Sequence, residues 1–312
     1  MVQFTWSLDA PSGVFKQHAL SEKIYQASVA ESKFMDHVKP ISGFGKKMGE
    51  NVTLKRVASL TEPTSATLVE GVRIPEDALT LSTKAVTVSE IGRSVPFTSF
   101  AEDLSDLDLE GTIQGELRRQ MTLYLDTLAG TAFQGGQIKY MPTGLATSTI
   151  NTAGTASAAS ANMNVWHAET IRDYLYDTLK AAPAEGDDYI GIFRTLGIRG
   201  LKRDADWEEW HKYTNPAAKF NGEVGRIESI RFIETNHSVL AELASTTLGE
   251  GVVFGADAVV MAEAMAPELR AAIPSDFGRS KAVAWYGIVG FDVVWDTGNS
   301  GQAKIVHVTS SS

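Results

Sequence analysis

The sequence predicts an α+β fold in which one long helix is combined with strands from both halves of the chain. Residues 105–134 repeat apolar side chains every three or four positions, which is the period of an amphipathic helix. Residues 51–57 and 81–88 have the alternating, β-branched pattern of two paired strands. Beyond residue 283 the chain is again rich in short β-type segments. Together these segments indicate an α+β protein.

The first element is an N-terminal arm, in which residues 16–41 have the pattern of an amphipathic helix. Pro40 and the glycines at positions 43 and 45 are expected to end this helix. Nothing else in the segment could fold back over its apolar stripe, so we expect the stripe to lie on the main body or on another subunit. The stripe consists of Leu20, Ile24, Ala27, Phe34, Val38 and Ile41.

A long β-hairpin is predicted over residues 50–98, with strands at 51–57 and 81–88. The roughly twenty residues between the strands are too many for a tight turn and predict an extended loop. That loop contains Pro63, Gly71 and Pro75. Because an isolated two-stranded hairpin is only marginally stable in water, this hairpin requires support from neighbouring structure.

The long helix at residues 105–134 has start and stop signals at both ends. Ser105 or Asp108 could cap it, and the acids in its first turns favour the positive end of the helix dipole. Gly135 and Gly136 stop it. At 1.5 Å per residue the element would be about 40 Å long, a long spine for a domain of this size.

Residues 144–162 are almost all Gly, Ala, Ser, Thr and Asn, which predicts a weakly ordered connection to a second lobe. In that lobe we expect helices near 164–182 and 199–212. The expected strands are 188–193, 226–234, 252–254, 283–285, 289–295 and 305–308.

The composition excludes several classes of protein. The chain of 312 residues contains no cysteine, which rules out disulfides, thiolate catalysis and cysteine-bound zinc. It has no run of eighteen apolar residues, so no transmembrane helix is expected. Residues 1–10 lack the basic start and apolar stretch of a signal peptide.

Charge is distributed unevenly along the chain. The formal net charge is −10, but residues 1–56 carry eight lysines and arginines against five acids. The remainder of the chain is correspondingly more acidic. Such a chain is poorly suited to bind nucleic acid over a broad surface, because phosphate neutralisation requires clustered cations.

Three motifs suggest chemistry, and each has a simpler structural interpretation. The glycine-rich segment 43–49 has the wrong spacing and context for a nucleotide loop, which favours a hinge. His167 and Glu169 resemble the start of a zinc deaminase motif, but the cysteines that complete the ligand set are missing. Paired carboxylates beside a histidine could bind a metal or act as acid and base, although such a run is more often a solvated helix face. That cluster is Asp204, Asp206, Glu208, Glu209 and His211.

The order of these elements resembles the Hong Kong 97 fold of tailed-phage major capsid proteins. Residues 49–54 (Gly-Glu-Asn-Val-Thr-Leu) are similar to the start of the family's extended loop. Residues 200–207 and 221–227 resemble a helix-then-strand signature of the coliphage N-four-type branch. The resemblance extends over residues 20–310. Many members begin with a scaffolding segment that a protease removes, and such a segment is not recognisable here. Scaffolding would then be a separate protein, or the segment would already have been removed.

The resemblance implies a domain organisation and a function. It implies an arm at 1–48, an extended hairpin at 49–99, a peripheral domain at 100–162 and 266–312, and an axial domain at 163–265. It also implies a subunit that self-assembles, as hexamers and pentamers, into the icosahedral head around double-stranded DNA. The expected location is the virion, with assembly in the host cytoplasm.

The resemblance further implies the partners of such a subunit. A separate scaffolding protein, a portal and a decoration protein are the expected protein partners. The subunit would enclose DNA without sequence-specific binding, use no cofactor or metal, and contact no membrane. The residues expected at contacts between subunits are Lys16, Lys23, Ile24, Lys33, Phe34, Leu60, Pro63, Leu68, Val72, Ile74, Asp103, Asp106 and Asp108.

Two alternatives remain open on sequence alone. An encapsulin-like nanocompartment would share this fold and enclose cargo protein instead of DNA. A metal-dependent hydrolase would use the cluster from Asp204 to His211.

Overall fold

The computed structural model describes residues 32–41, 44–45, 47–58, 60, 62–105, 108–155, 159–207, 223–240, 242–243, 248–295 and 302–311. The helices are α1 (Ser99–Leu104), α2 (Leu109–Gln134), α3 (Val165–Asp173) and α4 (Thr195–Lys202). A 3₁₀ turn at Met35–His37 and a π-helical turn at Tyr174–Thr178 accompany them. The strands are β1 (Lys39–Pro40), β2 (Asn51–Val57), β3 (Leu81–Thr87), β4 (Ser89–Thr98), β5 (Ile138–Gly144), β6 (Thr147–Asn151), β7 (Tyr189–Arg194), β8 (Glu223–Ile227), β9 (Ile230–Thr235), β10 (Glu242–Leu243), β11 (Leu248–Phe254), β12 (Val259–Ala271), β13 (Ser280–Val293) and β14 (Ile305–Ser311).

The two strands of the predicted hairpin are confirmed. Strands β2 and β3 pair antiparallel, from Asn51 opposite Thr87 to Val57 opposite Leu81. The hairpin ends earlier than predicted, because residues 89–98 form β4 and pair with β13 along its length. The amide of Val88 donates to the carbonyl of Glu50 and closes the hairpin, so the chain beyond it is available to a longer partner.

A four-stranded sheet, in the order β1-β12-β13-β4, supports the spine helix α2. Leu117 of α2 and Trp285 of β13 are buried together, with Met121, Leu125 and Leu128 packed against them. The indole N–H of Trp285 donates to Oε1 of Gln120 at 3.0 Å. The apolar stripe of the helix therefore faces this sheet, and Tyr124, although 41% exposed, has its ring centre 5.8 Å from that of Trp285.

The ends of the spine helix follow the predicted signals. Asp108, not Ser105, is the cap, and its side chain accepts from the amide of Gly111 at 3.0 Å. Gly135 terminates the helix, and its amide donates to Ala132 and Thr131. At 26 residues the helix is about 39 Å long.

The larger sheet follows the order β6-β5-β14-β11-β7-β9-β8, with β10 paired to β11 at the side. Successive side chains of β7 point to opposite faces of this sheet and pack in two separate cores. Tyr189 and Phe193 lie in a core that includes α3 and α4. Ile190 and Ile192 lie in a core that includes Phe133 near the end of α2. The spine helix thus contributes to both sheets.

The arm prediction is wrong where the structure describes it. Residues 32–41 form a 3₁₀ turn and the short strand β1, not the end of an α-helix. Their backbone donors are bonded to other elements: the amides of Phe34 and Met35 to the Asp126 carboxylate, and the amide of Ile41 to Met261. Contacts with the body therefore override the helical pattern. The predicted helix before residue 32 lies outside the described residues.

The second lobe also differs from prediction in several segments. The predicted weak connection contains β6, which pairs with β5. The strand predicted at 226–234 is two strands, β8 and β9, joined at Glu228 and Ser229, which have φ of 47° and 56°. Helix α4 starts directly after β7 rather than at 199, and part of the predicted helix lies outside the described residues.

Strands from both predicted domains share sheets, while the division into peripheral and axial domains stays a prediction. Strands β5, β6 and β14, expected in the peripheral domain, lie in the same sheet as β7, β9 and β11. The boundary at residue 266 falls inside β12. In the part of the chain that the structure describes, no helix is both long and apolar enough to cross a membrane.

Candidate assembly surfaces

The base of the β2–β3 hairpin is anchored to the body. Val86 is fully buried with Val260 and Ala262 of β12. Outside this small core, the guanidinium of Arg56 lies 5.0 Å from the ring centre of Trp295 and donates to the carbonyl of Val294 at 3.1 Å. Lys84 and Asp292 form an ion pair at 3.2 Å. The hairpin root therefore has a defined position on the sheet.

The loop between β2 and β3 exposes its apolar side chains. Fully burying one such side chain contributes about 1.5 to 3 kcal/mol. This loop is therefore a surface that gains free energy when another molecule covers it. Five residues predicted as contacts lie here at the surface: Leu60, Pro63, Leu68, Val72 and Ile74. The exposed fractions of their aliphatic members range from 56% for Leu60 to 67% for Val72, and Val69 and Leu79 are similarly exposed.

The predicted contact residues of the arm divide into two groups. Lys16, Lys23 and Ile24 lie outside the described residues. Phe34 is fully buried, with its ring centre 5.9 Å from that of Phe133 in the same chain. Phe34 therefore belongs to the subunit's own core, and its prediction as a contact between subunits is corrected. Lys33, beside it, is partly exposed.

Two acids of the acidic stretch at 102–116 already have basic partners within the chain. Lys281 pairs with Glu102 at 2.7 Å, and Arg119 lies 3.4 Å from Glu116. Asp108 is exposed although it caps α2. Asp103 is also exposed, while Asp106 lies outside the described residues. Of the predicted acidic contacts, Asp103 and Asp108 are thus accessible to a partner.

An apolar patch that the sequence analysis missed lies where α1 meets the turn between β12 and β13. Phe100 and Leu104 of α1 are 73% and 70% exposed, and Ile273 and Phe277 of the turn are more than 90% exposed. The amide of Ser99 donates to the carbonyl of Arg279 at 3.0 Å, which brings the two segments together. The four-residue spacing of Phe100 and Leu104 was a visible signal of one helix face. The turn residues gave no periodic signal.

Of the candidate catalytic cluster, the structure describes only Asp204 and Asp206. Asp204 accepts from the amides of Val165 and Asp206, so it serves as a local cap. Trp207 is buried, with its ring 5.7 Å from that of Phe232. Glu208, Glu209 and His211 lie outside the described residues. Within the ranges given above, no group of three or more histidines and acids could hold a metal ion.

His167 of the deaminase-like motif is a buried structural residue. It is fully buried, with Nδ1 2.8 Å from the hydroxyl of Tyr140 and Nε2 2.9 Å from the carbonyl of Gly144. Burial lowers the pKa of His167, and the contact with Gly144 opposes that shift. Burial also raises the pKa of the Tyr140 hydroxyl. Both ring nitrogens are therefore occupied by protein partners.

Comparison with family models matches residues 13–188 to the phage capsid family. The match spans more than half of the chain. A comparison with curated protein sequences finds no match.

Solved structures with the same fold come from several phages. The capsid asymmetric unit of cyanophage Pam1 aligns at 16% identity and a TM-score of 0.69, covering 100% of this chain and 99% of that one. The capsid of Helicobacter pylori bacteriophage KHP30 aligns at 13% identity and a TM-score of 0.71, covering 96% and 97%. The capsid of Ralstonia phage GP4 aligns at 15% identity and a TM-score of 0.67, covering 100% and 98%. At these identities the likeness establishes the fold.

Proposed function

This chain belongs to the phage capsid family. From that premise we propose that it is a major capsid protein that forms an icosahedral head, and that the loop between β2 and β3 is its principal contact with neighbouring subunits. The observation that carries the proposal is the continuous exposure of aliphatic side chains over this loop, on a hairpin whose root is fixed. A surface of this kind in one subunit is stabilised when a second copy covers it. Repeated among identical copies, such contacts form a closed shell when the rotations that they impose close by symmetry.

The test replaces Leu68, Val72 and Ile74 together with serine. We expect the variant to fold normally, because these side chains are exposed, and to lose most of its assembled fraction in sedimentation. Replacement of Leu145, which is 84% exposed on the β5–β6 turn, is the matched control and should leave assembly intact. A triple variant that keeps the native circular dichroism spectrum and still forms shells would show that the loop is not the principal contact between subunits.

The other predicted contact residues form part of the same proposal. Lys16, Lys23 and Lys33 of the arm would meet acids of an adjoining subunit, for which Asp103, Asp106 and Asp108 are the candidates, and Ile24 would pack against that subunit with its apolar side chain. The patch of Phe100, Leu104, Ile273 and Phe277 would be a second apolar contact. Its support is the exposure of four large apolar side chains at one end of the four-stranded sheet.

We propose no catalytic activity for this chain. The support is the use of Asp204 as a cap and of His167 as a buried hydrogen-bonding residue. Metal analysis of the purified protein, together with Asp206→Ala, tests the hydrolase alternative. Stoichiometric metal that is lost in this variant would favour an enzyme.

The remaining partners also belong to the proposal. Scaffolding, portal and decoration proteins would assist assembly in the host cytoplasm, and the head would enclose DNA without sequence-specific binding. The net charge of −10 supports an inner surface that does not hold DNA tightly. The genes beside this one test the encapsulin alternative, since a cargo enzyme there would favour a nanocompartment and a portal or terminase would favour a phage head.

A further inference from the structure

Asp126, in the middle of α2, is fully buried and is surrounded by donors from the arm. Its Oδ1 accepts from the hydroxyl of Ser32 at 2.9 Å and from the amides of Phe34 and Met35 at 2.8 and 3.0 Å. Its Oδ2 accepts from the amide of Lys33 at 3.3 Å. Four donors from four consecutive residues thus converge on one carboxylate. Hydrogen bonds to an ionised acceptor are about twice as strong as those between neutral groups.

A histidine completes the surroundings of this carboxylate. The Nε2 atom of His237 lies 3.8 Å from Oδ2 of Asp126, and His237 is also buried. The amide of Val239 donates to its Nδ1 at 3.1 Å. In the neutral ring the proton is therefore on Nε2, on the side of the carboxylate.

A socket for the Phe34 ring lies one turn further along α2. The ring packs against Phe133. A Cβ atom at Gly130 would lie only 3.1 Å from Cδ2 of Phe34 and 2.8 Å from Cγ1 of Val239. The socket therefore accepts Phe34 because position 130 has no side chain. Asp126 and Gly130 hold the same segment by independent contacts.

Residues 32–41, here called the strap, continue from this clamp to the hairpin root. Lys39 and Pro40 pair in parallel with Val260 and Met261 of β12. The side chain of Ile41 then packs in the small core with Val86 of β3. The strap thus joins the spine helix to the base of the hairpin.

We infer that Asp126 is the positioning residue that clamps the strap, fixing residues 32–41 on the spine helix and steadying the root of the hairpin. The clamp belongs to the folded subunit. An effect of the clamp on assembly rests on the proposed function, in which the arm and the hairpin contact neighbouring subunits.

Hydrogen–deuterium exchange of the unassembled full-length chain tests the clamp. Asp126→Asn keeps the shape of the side chain and removes its charge, whereas Gly130→Ala fills the socket and leaves the carboxylate. In both variants we expect peptides from residues 32–41 to exchange at least about tenfold faster, since three backbone amides lose a good acceptor or are displaced from it. Peptides from residues 84–88 should also exchange faster, while those from β7 and β11 stay unchanged. Asp257→Asn is the matched control, because it breaks an exposed ion pair with Lys39 on the same strap and leaves Asp126 and Gly130 unchanged.

Three outcomes would overturn the inference. Unchanged exchange over 32–41 would show that the carboxylate does not hold the strap. Equal acceleration in β7 and β11 would show that Asp126 supports the fold generally. Acceleration over 32–41 alone would remove the link to the hairpin root. Sedimentation of the same variants tests the proposed function separately. Faster exchange together with normal shells would support the inference about the clamp and count against the arm and hairpin as contacts between subunits.

Discussion

The hydroxyl of Tyr140 donates to Nδ1 of His167 at 2.8 Å and holds a neutral, fully buried imidazole between β5 and α3. The other ring nitrogen, Nε2, faces the carbonyl of Gly144, which can only accept, so Nε2 carries the proton. Protonation of the ring would place a second donor against the tyrosine hydroxyl and a charge in the core.

The first prediction concerns acid stability. Because burial lowers the pKa of His167, this residue binds fewer protons in the folded subunit than in the unfolded chain. Its contribution to stability is complete above the unfolded pKa of about 6.5 and falls as the pH drops below that value. His167→Gln, which keeps a donor and an acceptor but does not titrate, should lose less stability between pH 7 and pH 5 than the parent chain. Urea unfolding of the unassembled chain at both values measures this, and equal losses would contradict it.

The second prediction concerns a close contact between backbones. A Cβ atom at Gly249 of β11 would lie 2.0 Å from the amide nitrogen of Gly197 in α4, so the strand and helix must separate to admit it. We expect Gly249→Ala to lower the free energy of unfolding by about 1 to 3 kcal/mol or more. Gly115→Ala, on α2 with nothing within 4 Å of the added atom, is the control and should be neutral or raise it by about 0.5 to 1 kcal/mol. Similar effects at both positions would show that the contact is not tight.

The third prediction concerns the basic arm. Replacing Lys16, Lys23 and Lys33 with glutamine should slow assembly at low salt, because arm cations would then no longer attract acids of a neighbour. Each exposed pair contributes only about 0 to 1 kcal/mol and is screened by salt, so the deficit should shrink as sodium chloride is raised. Light scattering follows the rate, with Lys180→Gln in the second lobe as the control. A deficit that is constant across salt concentrations would mean that the arm acts by packing.

Much of the fold could be predicted from local patterns. Alternation in β2 and β3 and the three- and four-residue period of α2 each reflect one buried face, so those elements were identified from sequence. The turn between β8 and β9 could not be, because Glu228 and Ser229 adopt positive φ without a glycine or asparagine to indicate it. The strap was predicted as helix because its apolar spacing suits one, whereas the carboxylate that fixes it is more than ninety positions away in the sequence.

For the candidate contact surface, the sequence indicated which loop residues are exposed but not every residue that is buried or exposed elsewhere. The exposure of Leu68, Val72 and Ile74 agrees with a loop that is too long for a tight turn and has no core of its own, and their role as contacts stays a prediction. Phe34 was misassigned because its burial depends on the space left at Gly130, which no local pattern shows. Ile273 and Phe277 were missed because their exposure results from an irregular turn with positive φ at Asp276 and Phe277.

Negative-stain electron microscopy of the purified full-length chain tests the central claim most directly. If self-assembly through the exposed hairpin loop is the function of this subunit, fields of rings or closed shells should dominate, and their number should rise with protein concentration. A chain that stays a monodisperse monomer at high concentration, alone and in the presence of a scaffolding protein encoded beside it, would contradict the account.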